Sequence, residues 1–479
     1  MRESPRWHLV VRVGDADSFT PATARRDQVL TLILDGSTIA PHVLGGRVTH
    51  NVWSSIDERR LVAPPTAVDL FRLASAVYAA DARVKRRSAY DGWTREFVLH
   101  MPVTQPAVWD GAVEPLIDLL GFLTGDQWQL HFRPLTLATG STVTGRPTVD
   151  PRGAQKSRPL VADAVCLLSG GLDSFAGAVN ELAKGGASSR RIVFASHNTA
   201  GSERFTSSSQ DGVVTALANG FGGNTFEHLK FRVVPPSGTT LPREDTQRSR
   251  SIIFLALGAV VGAALNEQTG RTETPLIVPE NGFISLNVPL TPSRLGTCST
   301  RTTHPYAMSA FARVLSAIGI GVPLELPYRW HTKGEMLEAL RQSPVSNVMV
   351  AGASLTNSCA RPNDRNADVT RPQRHCGYCV PCLIRRAAMA VVGLDSASDY
   401  RIDVHAERGL LDSSPILRSD VRAFELAIET AETEGVGIGD VLSAGPLPDN
   451  FAELDSYVGV HRRGLNEVAK FLLGRPLNR

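Results

Sequence analysis

Residues Val165–Val179 read VCLLSGGLDSFAGAV, and the rest of the chain is organised around them. Val165, Cys166, Leu167 and Leu168 form a continuous apolar run, the pattern of a parallel strand covered on both faces. Gly170 and Gly171 allow a sharp turn and a close approach of backbone to ligand. Leu172, Phe175, Ala176 and Val179 then recur at helical spacing. A strand that feeds a helix through a glycine turn leaves N–H groups free at the positive helix end, which makes an anion site. Ser169 and Ser174 add hydroxyl donors, and Asp173 is placed to hold Mg2+ beside a pyrophosphate. No Gly-Lys-Ser/Thr follows, so this is not a Walker A loop. Without a ligand the same residues make an ordinary strand-to-helix turn with a Ser or Asp cap.

Downstream, strands and helices alternate. Arg191–Ser196 (RIVFAS), Leu229–Val234 and Leu276–Val278 read as strands, and Arg248–Leu265 as a helix apolar nearly all round. The polar segment His197–Asp211 suits a loop over a site at the carboxyl ends of the strands. The alternation predicts an α/β fold, a doubly wound parallel sheet spanning residues 160–395. Upstream, His8–Val13, Val29–Leu34, Arg95–Val103 and Gln127–Phe132 read as strands, and Ala67–Val84 and Val113–Leu123 as helices. Their mixture predicts a separate α+β accessory domain over residues 1–135, joined by a Thr/Gly/Pro/Ser-rich linker at 136–159. Lys85-Arg86-Arg87 reads as a solvated face, or else as a docking patch. Residues 396–479 read as a helical extension, with helices at Arg418–Glu432 and Phe451–Leu473.

The chain has 479 residues, 42% hydrophobic and 20% charged, with a net charge of +3. These are globular values, and so small a charge gives no argument for a nucleic-acid surface. The longest apolar run, Ser251–Leu265, is short for a membrane span, and the N-terminus lacks a signal core. A cytoplasmic, reduced protein is expected. Of its six Cys, Cys376, Cys379 and Cys382 form a Cys-x-x-Cys-x-x-Cys run in HCGYCVPC, and Cys359 lies upstream in LTNSCARP. Four thiolates so spaced suit a closed, structural Zn2+ site, with His375 a neighbour more than a ligand. An iron–sulfur cluster uses similar spacing. Cys166 reads as core, and Cys298 is undecided.

SGGLDS between strand and helix resembles the SGGxDS motif of the PP-loop pyrophosphatases, a HUP-like fold. Taken with Ser358-Cys359 and CGYCVPCLIRR, it is similar to the QueC-like branch, the 7-cyano-7-deazaguanine synthases, over about Leu160–Val392. Arg250 matches that family's Arg-Asn-x-x-Phe-Leu pattern, with Ser251 in place of Asn, and Lys333 in HTKGEML matches its Lys-x-Glu segment. The resemblance implies an ATP- and Mg2+-dependent enzyme that adenylates a 7-deazaguanine carboxylate and releases pyrophosphate. Ser169, Gly170, Gly171, Leu172, Asp173 and Ser174 would hold the phosphates, and Asp173, Lys333 and Arg250 would act in the chemistry. His197 stands about where the family's Tyr-Gly-Gln is missing. Glu280, Asn281 and Arg301 are candidates for the substrate, the first two alternatively for a turn; His304 reads as a loop residue. The added N- and C-terminal segments resemble the enlarged QueC-like proteins of bacterial anti-phage systems, of the QatC type. Such proteins are associated with joining a deazaguanine acid to a protein amine, so a partner protein is implied. Nitrile formation from ammonia, or a nucleotide-binding scaffold without turnover, are the alternatives.

Overall fold

In chain order the strands are β1 (Arg6–Val13), β2 (Gln28–Leu34), β3 (Gly45–Arg47), β4 (Thr49–His50), β5 (Glu96–Val103), β6 (Gln127–Pro134), β7 (Ala164–Leu167), β8 (Ile192–Asn198), β9 (Phe226–Val234), β10 (Leu276–Ile277) and β11 (Leu324–Glu325). They come from a computed structural model, which describes residues 5–35, 43–137, 141–146, 159–185, 189–199, 204–237, 242–244, 246, 248–294, 301–361, 375–448 and 450–478. Cys298 and most of the expected linker lie outside the described residues.

The strands make two sheets. The first has the order β3-β2-β1-β5-β6 and every pair in it is parallel. This corrects the α+β expectation. Leu9, Val10 and Val11 are consecutive and all buried, as in a strand covered on both faces. The second sheet has the order β11-β10-β7-β8-β9-β4 and is parallel except for β4, which runs antiparallel to β9 at the edge.

β4 belongs to the N-terminal region yet pairs with β9 at the edge of the second sheet, across the boundary expected near residue 135. The helix Pro65–Arg83 packs on the helix Arg250–Thr269, and a single apolar core runs from Leu9 through Phe71 and Val77 to Val261 and Phe311. The helix Arg250–Thr269 is long and apolar enough to cross a membrane, but it is mostly buried against β7, β8 and β10. Small residues let it sit there: a Cβ on Gly258 would come within 2.6 Å of Leu276.

Three local expectations change. The Ser-rich segment after His197 is not a loop throughout, because a helix spans Arg204–Phe221 and buries Val213 and Leu217. Arg86 is not on a solvated face: it is buried, bonded to Asp81 and Asp126. His304 is fully buried and caps the helix Pro305–Ala317 by accepting the Tyr306 N–H. The long C-terminal helices are Pro415–Thr433 and Leu454–Leu473, with short helices at Arg408–Asp412 and Ile438–Leu442, and Leu454–Leu473 lies on the helix Val380–Val391.

Candidate functional site: a cleft at the sheet switch point

From β7 the chain adds β8 and β9 on one side and β10 and β11 on the other, so strand order reverses between β7 and β10. Open parallel sheets bind ligands in the crevice outside the carboxyl ends at such a point. The SGGLDS turn leaves β7 there, and Val278-Pro279-Glu280-Asn281 leaves β10 beside it.

Gly170 has φ +84°, a conformation that favours glycine, and a Cβ on it would press on Gln210 at 3.1 Å. The Gly171 N–H donates to Ser169 Oγ at 3.2 Å, and the Ser174 hydroxyl donates to Gly171 O at 2.9 Å. The Asn357 N–H bonds Gly170 O at 2.8 Å, tying the turn to the segment that carries Cys359. The first N–H bonded back into the helix Leu172–Ala183 is that of Phe175, to Gly171 O at 3.0 Å. The preceding N–H groups of Leu172, Asp173 and Ser174 belong to the open first turn, where anions are received.

The turn opens on a cleft of about 430 Å³. Residues from the first turn of four helices line it: Asp173 of Leu172–Ala183, Arg250 of Arg250–Thr269, Lys333 of Lys333–Arg341 and Pro381 of Val380–Val391. Converging positive helix ends and two cations favour a polyanion. Lys333 Nζ lies 2.8 Å from Asp173 Oδ1, and Asn281 Nδ2 donates to Asp173 Oδ2 at 2.7 Å. Burial opposes ionisation of Asp173, but the Lys333 charge and bonds from Glu280, Lys333 and Asn281 outweigh it and lower its pKa. Burial and the Asp173 charge push Glu280 well above the usual carboxyl range, so Glu280 is the neutral partner of the two. His197 also lines the cleft; burial and the Arg250 charge push it down to about 3, leaving it neutral. Tyr78, from the N-terminal region, meets the His197 ring edge-on. A smaller chamber of about 340 Å³ shares Val278, Glu280 and Thr303 with the cleft and reaches the C-terminal segment at Pro448 and Tyr457.

Ser169, Gly171, Leu172, Asp173, Ser174, His197, Arg250, Glu280 and Lys333 therefore line one cleft, as expected together. Gly170 shapes the turn, and Asn281 supports Asp173 from behind. Arg301 is not in the lining. It sits at φ +45°, donates to Phe122 O at 3.3 Å and stacks on the Phe122 ring; its neighbours Thr302 and Thr303 face the cleft instead. Around Asp173, Oδ1 is paired with Lys333 and Oδ2 accepts from Asn281, and the expected Mg2+ role of this carboxylate stays with the proposed ATP chemistry. Ser358, quoted above beside Cys359, lines the cleft, and Thr206, Thr302, Thr303 and Asn357 line it without having been singled out. For Asn357 the signal was its place beside Ser358 and Cys359.

Beside the cleft, the Sγ atoms of Cys359, Cys376, Cys379 and Cys382 all lie within 4.8 Å of one another, with Cys376 and Cys382 3.7 Å apart. Zinc–thiolate bonds of about 2.3 Å in a tetrahedron put sulfurs roughly 3.8 Å apart. Backbone N–H groups of Arg361 and Cys376 reach Cys359 Sγ at 3.3 and 3.4 Å, bonds that suit thiolates. His375 Nε2 instead accepts the Ser358 N–H at 3.4 Å. The four close Cys can hold a metal ion, and the donor set is compatible with zinc. Cys359 belongs to both cluster and cleft wall, so an ion here would fix that wall. Metal analysis should find one ion per chain, and Cys379→Ser should lose it. The thermal midpoint of that variant should drop by about 5 °C or more, since a closed metal site contributes folding energy. Zinc is the expected ion; iron with inorganic sulfide would assign a cluster instead.

Together these features define an α/β protein with an anion-receptive cleft at its sheet switch point and, beside it, a four-cysteine cluster that shares Cys359 with the cleft wall. No protein-family model, curated protein or solved structure matches the chain.

Proposed function

We propose that this chain is an ATP-dependent, adenylate-forming ligase of the QueC-like PP-loop type, which activates a 7-deazaguanine carboxylate and joins it to an amine of a partner protein. The observation that supports the reading most is the intact SGGLDS turn opening on a cleft where four helices begin and Lys333 is held on Asp173. The triphosphate lies on the N–H groups of Leu172, Asp173 and Ser174, with the hydroxyls of Ser169 and Ser174. A carboxylate oxygen of the acid attacks the α-phosphorus, the bond to pyrophosphate breaks, and Arg250 and Lys333 neutralise the charge that develops. The amine then attacks the acyl carbon, the bond to AMP breaks, and the ammonium formed loses a proton. The neutral Glu280 faces both chambers and offers a donor and an acceptor to the purine-like edge of the acid, which the smaller chamber would house.

The large N-terminal region and the C-terminal helices favour a protein amine over ammonia, as does their likeness to the QatC-type proteins of anti-phage systems. The test is incubation with ATP, Mg2+, 7-carboxy-7-deazaguanine and the protein encoded beside this chain. A partner gaining the mass of the acid less water, with pyrophosphate and AMP released, is the expected result. Conversion of the acid to the nitrile with ammonia alone would replace the ligase with a nitrile synthase. Nucleotide binding without pyrophosphate release would leave a scaffold.

A further inference from the structure

The helix Leu454–Leu473 grips the segment that presents Lys333. Arg463 and Glu467 are four residues apart on it and so share a face. Arg463 Nε bonds Glu335 Oε1 at 2.6 Å, and Arg463 Nη2 bonds Trp330 O at 2.6 Å. The Thr332 hydroxyl donates to Glu467 Oε1, and the Gly334 N–H donates to Glu467 Oε2 at 3.2 Å. The residues on either side of Lys333 are thus both tied to one carboxyl group. Thr332 is also the N-cap of the helix Lys333–Arg341, in a capping box with Glu335, so the grip and the cap set the same backbone. Gly334 leaves room for it: a Cβ there would lie 2.5 Å from Glu467 Oε1. Glu467 does not line the cleft.

We infer that Glu467 is a positioning residue, which through Thr332 and Gly334 holds the Lys333 ammonium against Asp173 and in the cleft. The kinetic part of this inference rests on the proposed ATP chemistry; the placement of Lys333 does not. Helix starts that carry a reacting group need support from outside, since the first turn lacks its own backbone bonds. A misplacement of an ångström at such a group costs rate more than binding. The C-terminal helix is therefore part of the machinery of the cleft.

The test compares Glu467→Ala with Glu467→Gln. Burial pushes the Glu467 carboxyl up to about 7, so a neutral amide is a close stand-in. The first readout is the rate at which an amine-reactive reagent labels Lys333, followed by peptide mass. Lys333 is 4% exposed and should label slowly in the wild type. Glu467→Ala should speed labelling roughly tenfold and Glu467→Gln should restore the slow rate. Lys230, which lies on β9 and is held by Asp211, is the internal control and should not change. The second readout is pyrophosphate release: in Glu467→Ala, kcat should fall roughly tenfold with KM for ATP within about twofold. In a Lys333→Ala background the same change should have no further effect. Unchanged Lys333 labelling, or equal gains at Lys333 and Lys230, overturns the inference. So does a kcat loss that persists undiminished without Lys333. A wild type that releases no pyrophosphate overturns the ligase reading, and the labelling result still decides the role of Glu467.

Discussion

Asp173→Asn should cut pyrophosphate release from ATP by roughly a hundredfold or more, with circular dichroism unchanged. The asparagine keeps the size of the side chain but removes the charge on which Lys333 is aligned, 2.8 Å away. The ammonium then has no fixed partner at the cleft floor. The fold survives because Glu280 is within reach. Burial and the Asp173 charge hold Glu280 neutral; without that charge its carboxyl ionises more readily and takes over as counter-ion, though in the wrong place. The pH dependence of stability carries a signature of this exchange. In the wild type, Glu280 has a raised pKa, so the stability it contributes is present below the ordinary carboxyl range and is lost as pH rises through its folded value. Asp173 has a lowered pKa, so its contribution is present above the ordinary range and is lost as pH falls. In Asp173→Asn the acid loss should disappear and the alkaline loss should shrink, both visible in thermal midpoints measured against pH. Undiminished pyrophosphate release in this variant would take Asp173 out of the mechanism. ADP and phosphate as the wild-type products would reject adenylation itself.

How much of this was legible in the sequence follows from the range of the interactions. The turn after β7 is a local object: the apolar run, two glycines and a helical repeat lie within one short stretch, and it folds as read. The four cysteines were legible because ligand spacing is a local constraint for three of them. Lys333 and Arg250 were found through motif resemblance alone, and both do face the cleft. What stayed hidden depends on partners far away in the chain. Phe97, Leu99 and Met101 alternate, which reads as a half-exposed strand, yet Val98 is buried as well because β5 lies inside a parallel sheet. Arg86 sits in a basic run, but Asp81 and Asp126 draw it inside. The helix Arg204–Phe221 opens on Thr and Ser residues of modest helix propensity, and its buried Gln210, Val213 and Leu217 are the signal that a stricter periodicity count would catch. Arg301 carries the right charge and stands near the right loop, but the backbone at φ +45° goes with a side chain laid on Phe122.

Removing residues 1–135 should leave no soluble, folded remainder, although the sequence reads as if that region were separable. The deletion strips β4 from β9 and takes the helix Pro65–Arg83 off the helix Arg250–Thr269. The latter is apolar nearly all round, and an uncovered surface of that kind drives aggregation. The junction is also bonded through Asp81. Its Oδ2 accepts the Ser249 N–H at 3.1 Å, the Ser249 hydroxyl at 2.8 Å and the Thr246 hydroxyl at 3.0 Å. Its Oδ1 meets Arg95 at 2.6 Å and Arg86 at 3.3 Å. Ser249 directly precedes Arg250, so this carboxylate also anchors the start of the helix that brings Arg250 to the cleft. Burial opposes its ionisation, yet the Arg95 charge and the bonds from Arg95 and Ser249 outweigh it and lower its pKa. A point change makes the same argument without truncation. Asp81→Ala leaves Arg95 buried with Asp126 as its remaining counter-ion, and breaking such a buried pair costs about 3–5 kcal/mol. Its denaturation midpoint should fall accordingly, and nucleotide binding should weaken with it. If residues 136–479 instead purify as a monomer with a cooperative melt and bind ATP as the full chain does, the shared core is not needed and the N-terminal region is an accessory after all.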